Sequence, residues 1–70
     1  MLTRMHWNYR VIEQEGQLAI HEVFYNKDGT VAGITETPVF PRGETIEDLA
    51  ADISRYQEAL SLSVLRSGDW

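Results

Sequence analysis

The two side chains best suited to acid–base chemistry, His21 and Glu22, are neighbours in the segment QLAIHEVFYN. An imidazole and a carboxylate that share one site can act as a general acid and a general base. The surrounding β-branched and aromatic residues are typical of a β-strand, in which adjacent side chains point to opposite faces of the sheet. His21 and Glu22 are therefore predicted to lie on opposite faces, and they do not form a catalytic pair.

A polar cluster around His21 is the other candidate for a small site. In the strand pairing given below, Arg10 and Thr35 flank His21 on the two neighbouring strands. We predict a structural role for this cluster, and the alternative is a ligand pocket around Arg10 and His21 at an interface between two copies of the chain. His6 lies far from His21, and two distant histidines without a converging carboxylate do not make a zinc site. No catalytic residue, metal or cofactor is predicted.

Glu22 is the acid in the middle of the more apolar sheet face. Tyr9 is its predicted neighbour, and Tyr56 or Gln57 of the following helix can reach it. A buried carboxylate needs hydrogen bonds, and no second catalytic group converges on this one. A structural role is favoured over that of a catalytic base.

The segment Gly43 to Leu60, GETIEDLAADISRYQEAL, has the sustained periodicity of an amphipathic helix. The Thr45 hydroxyl can cap its first turn, and Asp48 completes a Thr-x-x-acid capping box. The helix is predicted to cover the sheet with one apolar face. That face consists of Ile46, Leu49, Ala50, Ile53 and Leu60, with Tyr56 and Gln57 between them.

Three strand-like segments precede the helix and predict an α+β domain, a three-stranded antiparallel meander with one C-terminal helix (β-β-β-α). The strands are WNYRVIEQ, QLAIHEVFYN and TVAGITET, joined by turns at Glu15-Gly16 and at Asn26 to Thr30. Pro38 ends the third strand, because proline cannot donate to a sheet ladder. The segment Leu62 to Leu65 can add a short fourth edge strand. We predict a single domain over residues 1–70, with an ordered core of about 7–65.

The turns fix a strand register and so divide the side chains between two faces. They predict that Val11 faces Ile20, that Phe24 faces Ala32 and that Glu22 faces Ile34. One face, with Trp7, Tyr9, Val11, Leu18, Ile20, Phe24, Ala32 and Ile34, is bulkier and is predicted to lie under the helix. A single helix leaves the other face open, so an apolar interface is predicted there. Its residues are Ile12, Val23, Tyr25 and Val31.

Composition limits the classes of partner. Eleven acids and six bases give a net charge of −5, which disfavours nucleic acid and anionic membranes and permits a basic protein partner. Seventy residues without cysteine give a small core that no disulfide reinforces, and such chains commonly gain stability by oligomerising. No segment is apolar over the length of a membrane span, and the start contains no signal-like core, so a cytoplasmic protein is predicted.

Two stretches resemble a known family, the HicB-like domain. The strands beginning YRVIEQ and the helix entry Gly43-Glu44-Thr45-Ile46-Glu47 are similar to its strand meander and its Gly-[Asp/Glu]-Thr-hydrophobic-Glu-Glu turn. The resemblance covers roughly Tyr9 to Leu65. The chain is also similar to a family of small uncharacterised bacterial proteins with a His-Glu-Val-Phe/Tyr-Tyr strand, an acidic-Gly turn and a Thr-Glu-x-Pro segment. The matching segments here are His21 to Tyr25, Asp28-Gly29 and Thr35 to Pro38.

The HicB resemblance implies part of a ribonuclease-H-like fold and a toxin–antitoxin role. HicB antitoxins neutralise a small basic ribonuclease and commonly carry an additional DNA-binding module, and no such module is predicted within these 70 residues. The resemblance therefore implies at most the partner-binding half, and no toxin-contacting residue can be matched to a position. We predict a non-catalytic protein-interaction module that is homodimeric and antitoxin-like. The alternative is a small enzyme or ligand-binding protein with the Arg10–His21 pocket.

Overall fold

The computed structural model describes residues 6–70, and its architecture is α+β. The elements are β1 (His6–Gln14), β2 (Gln17–Tyr25), β3 (Val31–Ile34), α1 (Ile46–Ala59) and β4 (Leu65–Arg66). The predicted order is confirmed, including a short fourth strand, although this strand covers Leu65–Arg66 and not Leu62 to Leu65 as predicted. Residues 1–5 of the predicted domain lie outside the described residues.

The strands form one sheet in the order β3-β2-β1-β4. β1 and β2 are joined by the predicted two-residue turn, in which Glu15 and Gly16 have φ values of 52° and 80°. Two positive φ values characterise the type I′ turn, whose twist matches that of the flanking strands. The register that this turn imposes is as predicted, with Val11 opposite Ile20 and Gln14 opposite Gln17.

The third strand departs from the predicted register. Tyr25 pairs with Val31, Phe24 pairs with Gly33, and the register shifts between them. Ala32 is thus the extra residue of a β-bulge, which moves every later side chain of β3 to the opposite face. The predicted pairs Phe24–Ala32 and Glu22–Ile34 are therefore wrong. Ile34 instead lies opposite Val23, on the face away from the helix.

β4 pairs with β1 in parallel, with Leu65 opposite Ile12 and Arg66 opposite Glu13. A parallel pair needs a crossover connection, and α1 provides it. The Ser67 amide extends the pairing by donating to the Glu13 carbonyl at 3.1 Å. The tail of the chain thus protects the edge of β1, which would otherwise expose unpaired backbone groups.

The helix begins as predicted, with Thr45 as its N-cap. Thr45 has an extended backbone, and its Oγ1 accepts from the Asp48 amide at 3.0 Å. Gly43 lies against this first turn, because a Cβ atom at Gly43 would stand 2.6 Å from the Leu49 nitrogen. Only glycine fits there without a shift of the backbone. The Arg42 amide donates to Asp52 Oδ2 at 2.9 Å and ties the incoming segment to the second turn of α1.

The helix packs on the predicted sheet face, but the side of the helix that contacts the sheet differs from the predicted one. The Tyr56 ring stacks on the Tyr9 ring of β1, with centroids 4.3 Å apart and planes 25° apart. Ala59 is 1% exposed, since a methyl side chain allows α1 to approach the sheet closely. By contrast, Ile46 and Leu60 are 78% and 69% exposed. The predicted apolar face is therefore only partly right: Tyr56 is buried and Leu49 is half-buried, but the aromatic stack leaves the other aliphatic residues of that face exposed.

Candidate functional site

The three residues of the predicted polar cluster do not form one site. His21 is buried, and its Nδ1 lies 2.9 Å from the Thr35 carbonyl oxygen. A carbonyl only accepts hydrogen bonds, so Nδ1 carries the proton and donates. Arg10 is opposite His21 in the ladder, but its guanidinium binds other groups. The structure brings His21 and Thr35 together and leaves Arg10 outside the pair.

The contact between His21 and Thr35 explains why β3 is shorter than predicted. The Thr35 amide still donates to the Glu22 carbonyl at 3.0 Å, but the Glu22 amide donates to Thr35 Oγ1 at 3.3 Å instead of to a backbone carbonyl. The Thr35 carbonyl is directed to His21, so the ladder stops. The chain rejoins the edge of β2 only at Val39, whose amide donates to the Ile20 carbonyl. His21 therefore has a structural role here.

Arg10 instead joins the sheet to the segment after the helix. Its Nη1 donates to the Tyr25 hydroxyl at 3.1 Å, and its Nη2 donates to the Ser63 carbonyl and Oγ at 2.6 and 3.0 Å. The Tyr25 hydroxyl in turn donates to Asn8 Oδ1 at 2.7 Å. Arg10 Nε is buried without a hydrogen-bond partner. The guanidinium thus has a structural role, and it does not line the cavity beside His21.

The predicted interface on the face away from the helix is wrong at two of its four positions. Ile12 is 1% exposed and Val23 is 0% exposed, so neither can contact a partner. The side chain of Ile34, brought to this face by the bulge, lies beside Val23, and β4 runs beside Ile12. Tyr25 and Val31 remain half-buried.

Glu22 is half-buried and lines a cavity of about 230 Å³ between the sheet, α1 and the segment that enters the helix. Tyr9, Asp52 and Tyr56 line the same cavity. Burial is the main factor that raises the pKa of Tyr56 to about 12, followed by the Tyr9 hydroxyl and the negative charges of Asp52 and Glu22. The phenol therefore stays protonated over the physiological range. His21 lies on the opposite face from this cavity, as the strand alternation predicted.

The most prominent exposed apolar feature is a row of side chains on α1, which we call the helix stripe. At about 100° per residue, its five residues occupy roughly a quarter of the helix circumference. They are Ile46, Ala50, Ile53, Gln57 and Leu60, all exposed to solvent. The sequence pattern revealed this row but not its exposure, because periodicity cannot say whether a sheet or another chain covers it.

The helix stripe continues into an apolar groove at its C-terminal end. Leu60 lines this groove, which measures about 410 Å³, and the strand residue Leu18 is 64% exposed in its wall. We call it the tail groove, and its lining is Val11, Leu18, Ala19, Ile20, Leu60, Leu62 and Val64. The sequence did not predict that the tail residues take part in a site. The alternation of the apolar residues Leu62 and Val64 after the helix is the pattern that could have indicated this groove.

The helix stripe itself carries no charged residue. By the same helical geometry, Arg55 lies on the opposite side of α1, whereas Glu47 and Glu58 lie on the solvent side, about 100° and 120° around the axis from Ile46. Ser54 borders the stripe on its solvent-facing side, and Glu47 lies about 20° beyond Ser54 around the axis. The stripe is thus a mainly apolar surface that includes Gln57, with the carboxylates of Glu47 and Glu58 beyond its solvent-facing border.

Known proteins give no further guidance to the site. Comparison with them finds no matching family model, no matching curated protein and no matching solved structure. Within residues 6–70, no group of three or more histidine or acidic side chains could hold a metal ion. No helix in that part of the chain is long and apolar enough to cross a membrane. The resemblance to HicB-like domains stays a prediction.

Proposed function

We propose that the protein is a non-catalytic protein-interaction module that works as a homodimer. The observation that carries this proposal is the apolar surface formed by the helix stripe and the tail groove. Ile46, Leu18 and Leu60 are each more than 60% exposed in the single chain. A contiguous exposed apolar surface of this kind usually marks a protein interface.

The small core supports the same proposal. Within the described residues, the buried side chains are Val11, Ile12, His21, Val23, Tyr56 and Ala59. One of these six is a histidine and one is an alanine, so few large apolar groups are removed from water. Small domains without disulfides often complete such a core by association. A second copy supplies the missing apolar contacts without any additional gene product.

The non-catalytic part of the proposal is supported by the separation of the candidate groups. His21 and Glu22 point to opposite faces of the sheet, and His21 is held by a backbone carbonyl. Arg10 donates to Tyr25 and Ser63 and does not line a cavity with His21. These contacts favour an interaction module over the alternative of a ligand-binding pocket around Arg10 and His21.

The mass of the protein in solution tests the homodimer. Sedimentation equilibrium from low to high micromolar concentration should give a mass that rises towards twice that of the chain. The melting temperature should rise with concentration as well, because association stabilises the folded state by mass action. A protein that stays monomeric at high micromolar concentration would contradict the proposal.

A second, antitoxin-like function is favoured by the acidic side of α1. Glu47, Asp48 and Glu58 are exposed, and the chain carries a net charge of −5. Exposed carboxylates suit the guanidinium groups of a small basic protein. Coexpression with the product of the adjacent reading frame tests this function. A basic chain should copurify with the wild type and should be lost when Glu47 and Glu58 are changed to Lys.

A further inference from the structure

We infer that the cavity beside Glu22 binds a small organic cation, which carries a primary alkylammonium or a guanidinium group. We call it the entry cavity, because the segment that enters α1 forms one wall, with the sheet and α1 itself forming the others. The inference goes beyond the proposed homodimer and does not depend on it. The residues of the helix stripe and of the tail groove do not line the entry cavity.

Glu22 brings a carboxylate without a partner into the entry cavity. The residue is half-buried, and its hydrogen bonds to Thr35 use its backbone amide and carbonyl. Within residues 6–70, the ion pairs are Asp52–Arg55 and Glu13–Arg66, and neither they nor a side-chain hydrogen bond holds the Glu22 carboxylate. A charge that loses part of its hydration and gains no partner is costly. A bound cation would offset that cost.

Asp52 places a second carboxylate in the wall of the cavity. Its Oδ2 accepts from the Arg42 amide at 2.9 Å, and its Oδ1 lies 3.5 Å from Nη1 of Arg55, whose side chain is 62% exposed. An exposed pair of this kind is screened by water. Burial is the main cause of the raised pKa of Tyr56, and the negative charges of Asp52 and Glu22 both add to it. The two carboxylates therefore act on the same small volume.

Arg42 lines the entry cavity but does not neutralise it. Its guanidinium carbon lies 5.7 Å from the centroid of the exposed Phe40 ring. In the part of the chain that the structure describes, Arg42 forms no ion pair with Glu22 or Asp52. The cavity thus keeps a negative potential that a cation from outside can neutralise.

The walls of the cavity suit both the charge and the carbon chain of such a ligand. Pro38 and Val39 supply apolar contacts, and the stacked rings of Tyr9 and Tyr56 supply an aromatic wall of the kind that attracts cations. Tyr56 is 7% exposed, and its hydroxyl makes no hydrogen bond of standard geometry with another residue in the range 6–70. A phenol oxygen can accept an N–H from the ligand while its proton is donated to a carboxylate.

The volume of the entry cavity limits the size of the cation. Pockets for drug-sized molecules measure about 300 Å³ or more, whereas this cavity measures about 230 Å³. That is the volume of roughly eight water molecules, which suits a cation the size of a lysine or arginine side chain. The source of the group is either a free amine or guanidine or such a side chain on a basic protein.

Titration with small cations tests the site. n-Butylammonium and ethylguanidinium, added at constant ionic strength and followed by ¹H–¹⁵N NMR, should shift the amides of Glu22, Val39 and Phe40 saturably, with millimolar dissociation constants. n-Butanol has the same carbon chain without the charge and should give no saturable shift. Shifts that do not saturate, or that n-butanol reproduces, would overturn the inference.

Matched substitutions test the role of Glu22. Glu22→Gln keeps the shape of the side chain and should raise the dissociation constants of both cations about tenfold or more. Glu15→Gln removes the same charge at the exposed hairpin turn and should leave them within about twofold. Far-UV circular dichroism checks that both variants are folded. Unchanged binding to Glu22→Gln would refute the assignment.

A peptide distinguishes the two sources of the cation. Acetyl-Gly-Arg-Gly-amide carries the same guanidinium group as ethylguanidinium, attached to a backbone. Binding of the peptide about tenfold tighter than that of ethylguanidinium supports an arginine side chain of a basic protein as the ligand. Binding of ethylguanidinium with no tighter binding of the peptide supports a free cation. A protein that is monomeric by sedimentation yet binds these cations would overturn the homodimer and leave this site intact.

Discussion

Replacing Val23 with alanine should strongly destabilise the domain, because Val23 is 0% exposed at the centre of the sheet. The change removes two methyl groups, at about 0.8 kcal/mol each. The cavity left behind adds to this, so the total loss is about 2–3 kcal/mol. A 70-residue domain has a free energy of unfolding of roughly 4–10 kcal/mol. The melting temperature should fall by roughly 10–20 °C.

Val31→Ala is the matched control for this change. Both valines lie in strands on the same face, but Val31 is only half-buried and sits on the edge strand β3. The two variants lose a similar β-propensity, so the difference between them isolates burial. Val31→Ala should cost less than about 1 kcal/mol.

Urea unfolding followed by tryptophan fluorescence measures both free energies. The denaturant dependence should be unchanged in both variants, since neither alters the surface exposed on unfolding. Equal losses for Val23→Ala and Val31→Ala would refute the burial of Val23. In that case the sheet face away from the helix would be open to solvent and available to a partner.

Substitutions at three further positions test the helix and its packing. Thr45→Ala should lower the free energy of unfolding by about 1 kcal/mol through loss of the N-cap. Thr45→Asp should retain most of the wild-type stability, because a carboxylate can cap the same amides. Equal melting temperatures for the two variants would place the helix start elsewhere. Gly43→Ala should destabilise the domain in urea melts, because its Cβ would stand 2.6 Å from the Leu49 nitrogen, and a wild-type midpoint would contradict that close approach. Folding raises the pKa of Tyr56 from 10.0 to about 12, so the unfolded state loses this proton first and stability should fall as the pH rises through that window. Tyr56→Phe should flatten that part of the pH profile of the urea midpoint, and an unchanged slope would count against the burial of the phenol.

The elements that local chemistry specifies could be predicted from the sequence. The Glu15-Gly16 turn fixes the β1–β2 register, because a two-residue turn allows only one pairing of its flanking strands. The Thr45 hydroxyl fixes the start of α1 in a similar way, since it accepts a hydrogen bond from a backbone amide of the first helical turn. Each of these decisions involves residues close together in the chain.

The candidate site was only partly predictable. The apolar row on α1 was recognised from its spacing, but it was assigned to the core and the other sheet face to the interface. Helical periodicity gives a direction around the helix axis and no information about what lies in that direction. Ile46 and Tyr56 are separated by about 80° around that axis, so a modest rotation of α1 decides which of them is buried.

Only the tertiary structure decided that rotation. The stacking of Tyr56 on Tyr9 and the close approach of Ala59 turn α1 away from its aliphatic row. The bulge at Ala32 likewise follows from packing rather than from turn chemistry, because the predicted turn forms and the shift occurs after it. The sequence by itself determined the order of the elements, the β1–β2 turn and the start of α1. Which faces are buried depended on contacts between residues distant in the chain, whose free energies no local pattern contains.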